Sequence, residues 1–363
     1  MNVGDLVRAM DRIAPVRFAA SWDNVGLLVG DEASPMKSVL LAIDCTAEVL
    51  AEARRAGATA IVSYHPPIFS GQKRFVAGSI AFDAARAGVA IHSPHTALDV
   101  ATGGTNDVLA DALSMIARQP LRPLDPVDTS VKLVTFVPVE HVSSVSRAVF
   151  AAGAGQIGKY SSCGFHAAGT GTFFGEEGAR PAVGEAGKLE ECAELRFETL
   201  VPLARVADVV QALRAAHPYE EPAFDLVRVA SPPGGQGMGR VGEIEPARPV
   251  PSVVAAVKGA LALEHVLVAG PLDRLVSRVA VCAGSGGDLV GDAIASGAEL
   301  FLTGELRHHD VLRAAAAGLT VVCTLHSASE RAALIGLTRR LAAELPGLTI
   351  TRSRVDREPL AFA

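Results

Sequence analysis

The chain repeats itself. Adding 240 to every position from 39 to 65 reproduces the pattern without a gap. Val39-Leu40-Leu41-Ala42 matches Val279-Ala280-Val281-Cys282, the helix stop Gly57-Ala58 matches Gly297-Ala298, and Ile61-Val62-Ser63 matches Phe301-Leu302-Thr303. A further strand recurs as well: Val89-Ala90-Ile91 leads to His95-Thr96-Ala97-Leu98-Asp99, and Thr320-Val321-Val322 leads to His326-Ser327-Ala328-Ser329-Glu330. Both read histidine, three residues, carboxylate. Such a chain is expected to fold as two similar α/β halves that pack together, a diverged duplication.

Within each half the local signals alternate between strand and helix. Val39–Ile43 is a continuous apolar run without alternation, as in a strand covered on both faces. Thr46 is placed to cap a helix whose inner face is Val49, Leu50 and Ala53, and Gly57 ends it. Ala60-Ile61-Val62 then runs into Ser63-Tyr64-His65-Pro66-Pro67, and the double proline puts His65 at a strand's carboxyl end. Ligand sites in open α/β sheets gather at such ends.

Between the halves lies material with no counterpart. LRPLDPVDTS (121–130) and SPPGGQGMGR (231–240) have loop compositions and mark its borders. Strands are predicted at Lys132–Val137 and Leu195–Val201, helices at Val142–Ala152 and Val206–Ala215. This order suggests a small inserted α+β domain. The domain expectation is a discontinuous core, 1–126 with 233–363, and an insert at 127–232.

Composition narrows the classes. Of 363 residues, 49% are hydrophobic and 20% charged, which excludes intrinsic disorder. A net charge of −6 and only 5% aromatics disfavour nucleic-acid binding. No apolar run reaches the ~18 residues of a membrane helix, and the first residues lack a secretory apolar core, so a soluble cytoplasmic protein is expected. The five cysteines (45, 163, 192, 282 and 323) form neither a zinc-ribbon pattern nor a disulfide framework and read as small core residues. Any metal would be held by histidine and carboxylate.

Four residues qualify: His65, Asp99, His326 and Glu330. Each ends a predicted strand or opens the next helix, and imidazole with carboxylate suits zinc, iron, manganese or cobalt. Taken singly, each has an ordinary explanation. His65 is a turn residue, Asp99 caps a turn, and Ser327-x-x-Glu330 is a capping box. The recurrence in both halves favours ligands meeting at a pseudo-symmetric seam. His95, His308 and His309 form a second ring, able to move protons or orient ligands, or simply an exposed helix start. Ala283-Gly284-Ser285-Gly286-Gly287-Asp288 sits where backbone amides cradle an anion, without a nucleotide-binding spacing. Gly103-Gly104-Thr105-Asn106-Asp107 reads as a turn and helix cap.

At these residues the sequence resembles the NIF-three-like family, labelled GTP cyclohydrolase 1 type 2 homolog. The resemblance spans nearly the whole chain. It rests on Ser21-Trp22-Asp23-Asn24-Val25-Gly26-Leu27, Ser63-Tyr64-His65-Pro66-Pro67-Ile68-Phe69, the His95–Asp99 and Gly103–Asp107 segments, Thr303-Gly304-Glu305 and His326–Arg331. It implies two α/β halves enclosing a dinuclear metal site with ligands His65, Asp99, His326 and Glu330. Tyr64 stands where the bacterial motif usually has a first histidine, so one or two divalent ions are expected per subunit. Gly155–Tyr160, Gly169–Phe173 and His217–Pro222 look like the PII/CutA-like domain of longer members, which implies a homo-oligomer, a hexamer. The function implied is a metal-dependent hydrolase in which a metal-activated water attacks a small or nucleotide-like substrate, with His95 or His309 moving protons. The alternative is a non-enzymatic metal chaperone or regulatory scaffold. No residue compels guanine recognition.

Overall fold

The run at Val39–Ile43 lacks alternation because both faces of its sheet are covered. The computed structural model describes residues 1–124, 130–229 and 235–361. They fall into two compact units, Met1–Leu124 with Pro233–Ala363, and Asp125–Pro232. In chain order the larger unit first contributes β1 (Gly26–Val29), β2 (Ser38–Ala42), β3 (Ala60–Ser63), β4 (Ala90–Ser93) and β5 (Ile116–Pro123). The smaller unit holds β6 (Ser130–Pro138), β7 (Gly164–Phe174), β8 (Leu189–Pro202) and β9 (Phe224–Arg228). The larger unit resumes with β10 (Gly237–Pro249), β11 (Leu267–Ala269), β12 (Leu275–Ser285), β13 (Leu300–Glu305), β14 (Thr320–Cys323) and β15 (Thr349–Arg352).

The larger unit has two sheets, ordered β1-β4-β3-β2-β15 and β11-β14-β13-β12-β10-β5. Register follows the repeat. Val39 faces Ala60 across the first parallel ladder and Val279 faces Leu300 across the second, each shifted by 240. On the third strand, Ala60 faces Ala90 and Leu300 faces Thr320. Thr320 therefore corresponds to Ala90, one residue beyond the Val89 expected from sequence. The left-handed glycines before each strand, Gly88 (φ 67°) and Gly318 (φ 74°), agree with that shift. The second half consequently has one extra residue between strand and histidine, and Leu325 (φ 74°) absorbs it.

Each sheet has two covered faces. Val39, Leu41, Ile43 and Val62 pack with Leu6 and Met10 of helix Val3–Ile13 and with Leu334, Leu337 and Leu341 of helix Ala333–Glu344. Leu40, Ala42, Ile61 and Ile91 pack instead on Val49, Leu50, Ala81 and Ala84. Thr46 caps helix Ala47–Arg55, its hydroxyl accepting from the Val49 amide at 3.3 Å. The second sheet repeats this layering, with helix Thr105–Ala112 supplying Leu109 and Ala110 to its Val279–Val281 face.

The last helix and strand of each half cross over. Helix Thr105–Ala112 and β5 leave the first half to join the second sheet, whereas helix Ala333–Glu344 and β15 leave the second half to join the first. Sequence placed a loop at 121–130, but Leu121–Pro123 belongs to β5 and pairs with β10, Gly237 facing Pro123. Proline is tolerated there because β5 is the sheet edge and one side of its backbone needs no donor. The second expected loop, 231–240, is likewise part strand, since Gly237–Arg240 opens β10 and pairs with β5. Residues 125–129 and 230–234 lie outside the described residues.

The smaller unit is an antiparallel sheet ordered β7-β8-β6-β9 with helices Val142–Ala151 and Val206–Ala216. Val145, Val149, Val209 and Leu213 from those helices close a core over Leu133, Phe197 and Val201. Among the described residues no helix is long and apolar enough to cross a membrane. All five cysteines are free, four of them buried.

Two outcomes are expected. The Leu124 amide donates to the Gln236 carbonyl at 3.1 Å, so the chain leaves and re-enters the larger unit at one point. Replacing 125–232 by a short Gly/Ser bridge should leave a soluble, cooperatively unfolding core; insoluble or non-cooperative product contradicts the division. The second concerns His92 on β4, buried with Nδ1 unpartnered, whose pKa burial pushes down from 6.5 to about 4. The unfolded chain takes up this proton below pH 6.5 and the folded chain does not. Stability is unaffected above that pH and falls as pH drops toward 4. His92→Asn should reduce the loss between pH 7 and 4.5 by about 2 to 3 kcal/mol, read by urea unfolding.

Candidate metal centre

Parallel register brings the first pair of side chains together. Ala42 faces Ser63 at the ends of β2 and β3, so two residues further on Asp44 stands beside His65. The His65 Nδ1–H donates to Asp44 Oδ1 at 2.9 Å, which orients the ring and leaves Nε2 as the ligand atom. The second half builds the same device. Thr303 faces Cys323 across β13 and β14, Glu305 and His326 follow, and His326 Nδ1 meets Glu305 Oε1 at 3.0 Å. Glu330 lies one helical turn beyond His326, within helix His326–Glu330.

Glu330 joins the halves. One carboxylate oxygen lies 3.2 Å from His65 Nε2 and the other 3.3 Å from His326 Nε2, with the Glu330 side chain only 3% exposed. The 3.2 Å approach is not aligned as a hydrogen bond, and both His65 Nε2 and Glu330 Oε2 are buried without a hydrogen-bond partner. Burial opposes charge on His65, but Asp44 and Glu330 outweigh it and push the imidazole up to about 10. Glu330, against burial, and Glu305 push His326 up to about 9. Burial works against the Glu330 anion, yet the two imidazoles hold its carboxyl below the ordinary range.

The backbone leaves room at this point. Gly284 occupies the position that Asp44 holds in the other half, shifted by 240. A Cβ there would lie 2.8 Å from Glu330 Oε1 and 3.3 Å from His326 Nε2, and its φ of 66° suits glycine. Leu325 (φ 74°) and His95 (φ 26°) begin the two His-x-x-x-carboxylate turns in a region that side chains rarely adopt, so local strain accompanies the site in both halves.

Asp99 is placed differently from Glu330. Its buried carboxylate takes a very short hydrogen bond from the Tyr64 hydroxyl, which also lies 3.0 Å from Thr105 Oγ1. Burial, then repulsion from Glu330, push Asp99 up to about 6. Burial, then Asp99 and Glu330, raise Tyr64 well above its ordinary value. Among the described residues the group with ligand geometry is His65, His326 and Glu330, whose donor atoms lie within 4.8 Å of one another. His95 borders it, its ring centroid 5.3 Å from that of His65, with Nδ1 donating to Asp23 at 2.8 Å. His309 is exposed at the start of helix His308–Ala316, its ring against His308.

Other segments are structural. The Ser327 hydroxyl donates to Glu358 at 2.7 Å and the Glu330 carboxylate meets the imidazoles, so Ser327-x-x-Glu330 is not a capping box here. The glycine-rich turn is no anion cradle at its start, because the Ala283 amide donates to Asn106 Oδ1 and the Gly284 amide to Ser329 Oγ, both at 2.8 Å. Asn106 Nδ2 also donates to the Asp99 carbonyl at 2.9 Å, tying the halves beside the site. Asp107 pairs with Arg240, only 3% exposed, at 2.7 Å.

Sequence reasoning missed Asp44 and Arg240, and read Asn106 only as part of a turn and helix cap. For Asp44 the signal existed: two adjacent strands of equal register place residues equally far past their ends side by side. A cavity of about 640 Å³ belongs to the smaller unit, lined by Phe136, Phe174, Glu194, Arg196 and Tyr219 among others. The His65, His326 and Glu330 group is in the larger unit, so donor chemistry marks it as the candidate centre rather than cavity size.

The family model described as Duf34/NIF3 (NGG1p interacting factor 3) matches residues 1–359. The chain is 39% identical over 315 residues to a Mycobacterium tuberculosis protein named GTP cyclohydrolase 1 type 2 homolog, covering 85% of this chain and 83% of that one. It is 34% identical over 370 residues to a Bacillus subtilis protein of the same name, covering 100% and 99%. Among solved structures, a Bacillus cereus protein related to NIF3 aligns with TM-score 0.71 at 32% identity, covering 100% of this chain and 99% of that one. Staphylococcus aureus protein SA1388 aligns with TM-score 0.85 at 27% identity, over the same shares.

Removing the carboxylate that orients His65 should weaken divalent-ion binding without abolishing it. Asp44→Asn is expected to lower zinc affinity by about 10- to 100-fold, measured by competition with a chromogenic chelator. Unchanged affinity shows that the Asp44 contact does not serve a ligand.

Proposed function

The chain belongs to the Duf34/NIF3 family, and on that premise we propose a divalent-metal protein whose centre is His65, His326 and Glu330 and whose chemistry is hydrolytic, on a small or nucleotide-like substrate. The observation that carries this reading is the pair of buried, unpartnered ligand atoms, His65 Nε2 and Glu330 Oε2. With Nδ1–H given to Asp44, Nε2 is a lone-pair atom like the carboxylate oxygen facing it, and two orphaned acceptors buried together are costly unless something binds there; a cation between them satisfies both. Gly284 supports it, since any side chain would fill the space beside Glu330 and His326. Two imidazoles and a carboxylate suit zinc, iron, manganese or cobalt.

A bound divalent ion supplies Lewis acidity at the strand ends. The protein's own groups do the rest. Asp44 and Glu305 fix the rings through Nδ1, and Glu330 holds the negative charge between them. His95, with Nδ1 committed to Asp23, has Nε2 for proton exchange beside His65 and is the proton-transfer residue of this reading. Asp99 stands in reserve: while Tyr64 donates to it, its carboxylate is occupied, which favours one ion over two.

The metal-delivery alternative is favoured by one observation. His326 and Glu305 are 36% and 52% exposed in their side chains, so an ion has a path out as well as a substrate a path in. Turnover separates the two. A hydrolase loses activity with chelator and regains it with added metal across a panel of phosphate esters, amides and nucleotides. A delivery protein shows no turnover but passes its ion to a competing apo-site.

Metal content per chain after dialysis against limiting zinc tests the centre itself. The parent should retain about one ion, Glu330→Gln should lose most of it, and Tyr64→His should move toward two. Normal retention in Glu330→Gln places the centre elsewhere.

A further inference from the structure

Trp22 is the chain's sole tryptophan, and it is 61% exposed. Beside it Phe69 is 57% exposed, the ring centroids 5.9 Å apart and the planes inclined at 46°. Neither ring stacks flat on the other, so both keep open faces. From Trp22 a run of rings leads inward: His95 at 6.0 Å, edge-on, then His65 a further 5.3 Å on, then His326 at 5.3 Å.

This exposed pair is held in place. Asp23, whose side chain is fully buried, accepts from His95 Nδ1 at 2.8 Å and from the Thr96 amide at 3.2 Å. The Ala20 amide donates to Thr96 Oγ1 at 3.0 Å, and Asn24 Nδ2 donates to the Ile68 carbonyl at 2.6 Å. Ala20, Asp23 and Asn24 around Trp22, and Ile68 before Phe69, are thus tied to one another or to the turn that carries His95. Rings fixed before binding cost little to order on binding.

We propose that Trp22 and Phe69 form a stacking platform for a planar heteroaromatic ring, as in a nucleoside, which delivers the ligand's reacting end to the His65–His326–Glu330 centre. The proposal rests on the metal-centre reading for the fate of that reacting end, and deepens it by naming the substrate class. Scale selects a small molecule over a protein partner. Two aromatic side chains offer at most about 150 to 250 Å² each, whereas a stable protein interface needs about 800 Å² per side. Geometry selects a ring with an extension: a ring lying on Trp22 is separated from the His65 ligand by the His95 ring alone.

The sole tryptophan makes the test direct. The full-length, zinc-loaded protein is titrated with adenosine, cytidine and ribose while Trp22 emission is followed. Saturable quenching by the nucleosides and none by ribose is expected. Phe69→Leu should weaken nucleoside binding about ten-fold, as should Trp22→Leu read by calorimetry, whereas Phe69→Tyr retains it and all three keep the parent's zinc content. Equal binding of ribose, no saturation by either nucleoside at millimolar concentration, or parent-like affinity in both leucine variants overturns the proposal. So does a blue-shifted Trp22 emission in free protein that moves red on dilution, because a second copy then covers the platform. Nucleoside binding by protein that retains no zinc upholds the platform and removes the metal centre; zinc without nucleoside binding does the reverse.

Discussion

The larger unit is organised around one desolvated carboxylate. Glu330 reaches an imidazole from each half, and neither half offers a complete partner set for it alone. Burying an anion costs several kcal/mol unless charge and hydrogen bonds compensate, and removing one member of such a set costs about 3 to 5 kcal/mol. The neighbouring backbone conforms to it. Gly284 has no side chain where Glu330 and His326 approach, and a Cβ on Gly304 would lie 2.5 Å from the Gly284 carbonyl. Ser329 braces the same corner, accepting from the Gly284 amide and donating to the His326 carbonyl.

Much of this was legible in the sequence, because a repeat carries register with it. The shift of 240 is the shift between two ladders, Val39 with Ala60 and Val279 with Leu300. Once the ladders are parallel, His65 and the two His-x-x-x-carboxylate turns must emerge at strand ends. The residues that went unread are those defined by lateral neighbours. Asp44 matters only because β2 lies beside β3, and Asn106 only because its helix packs on the opposite sheet. The Leu121–Pro123 segment reads as loop by composition and becomes strand by its edge position. Local pattern says what a segment prefers, and not which sheet it joins.

The two turns beside the Glu330 carboxylate share a spacing and differ in their partners. His326-x-x-x-Glu330 lends both side chains to the ligand group. His95-x-x-x-Asp99 has the same spacing, and Asp23 orients its histidine as Glu305 orients His326, but Tyr64 takes its carboxylate. The difference lies in the partners brought by other segments rather than in the repeated motif. Two turns of one spacing can thus differ in what their side chains are free to meet.

The crossed-over helices and strands set an order on assembly. β15 completes the first sheet by pairing residues 349–352 with residues 38–41, and β5 borders the second sheet only after β10 has been made. During synthesis, the amino-terminal half emerges from the ribosome with an open sheet edge beside β2 and a Val39–Leu41 face that helix Val3–Ile13 covers only in part. That surface waits for almost the entire remaining chain. Long-range pairing of this kind is slow and exposes unpaired edges meanwhile. A ribosome stalled before residue 333 would therefore present a half that is correctly paired inside yet adhesive outside, a natural client for chaperones that hold nascent chains.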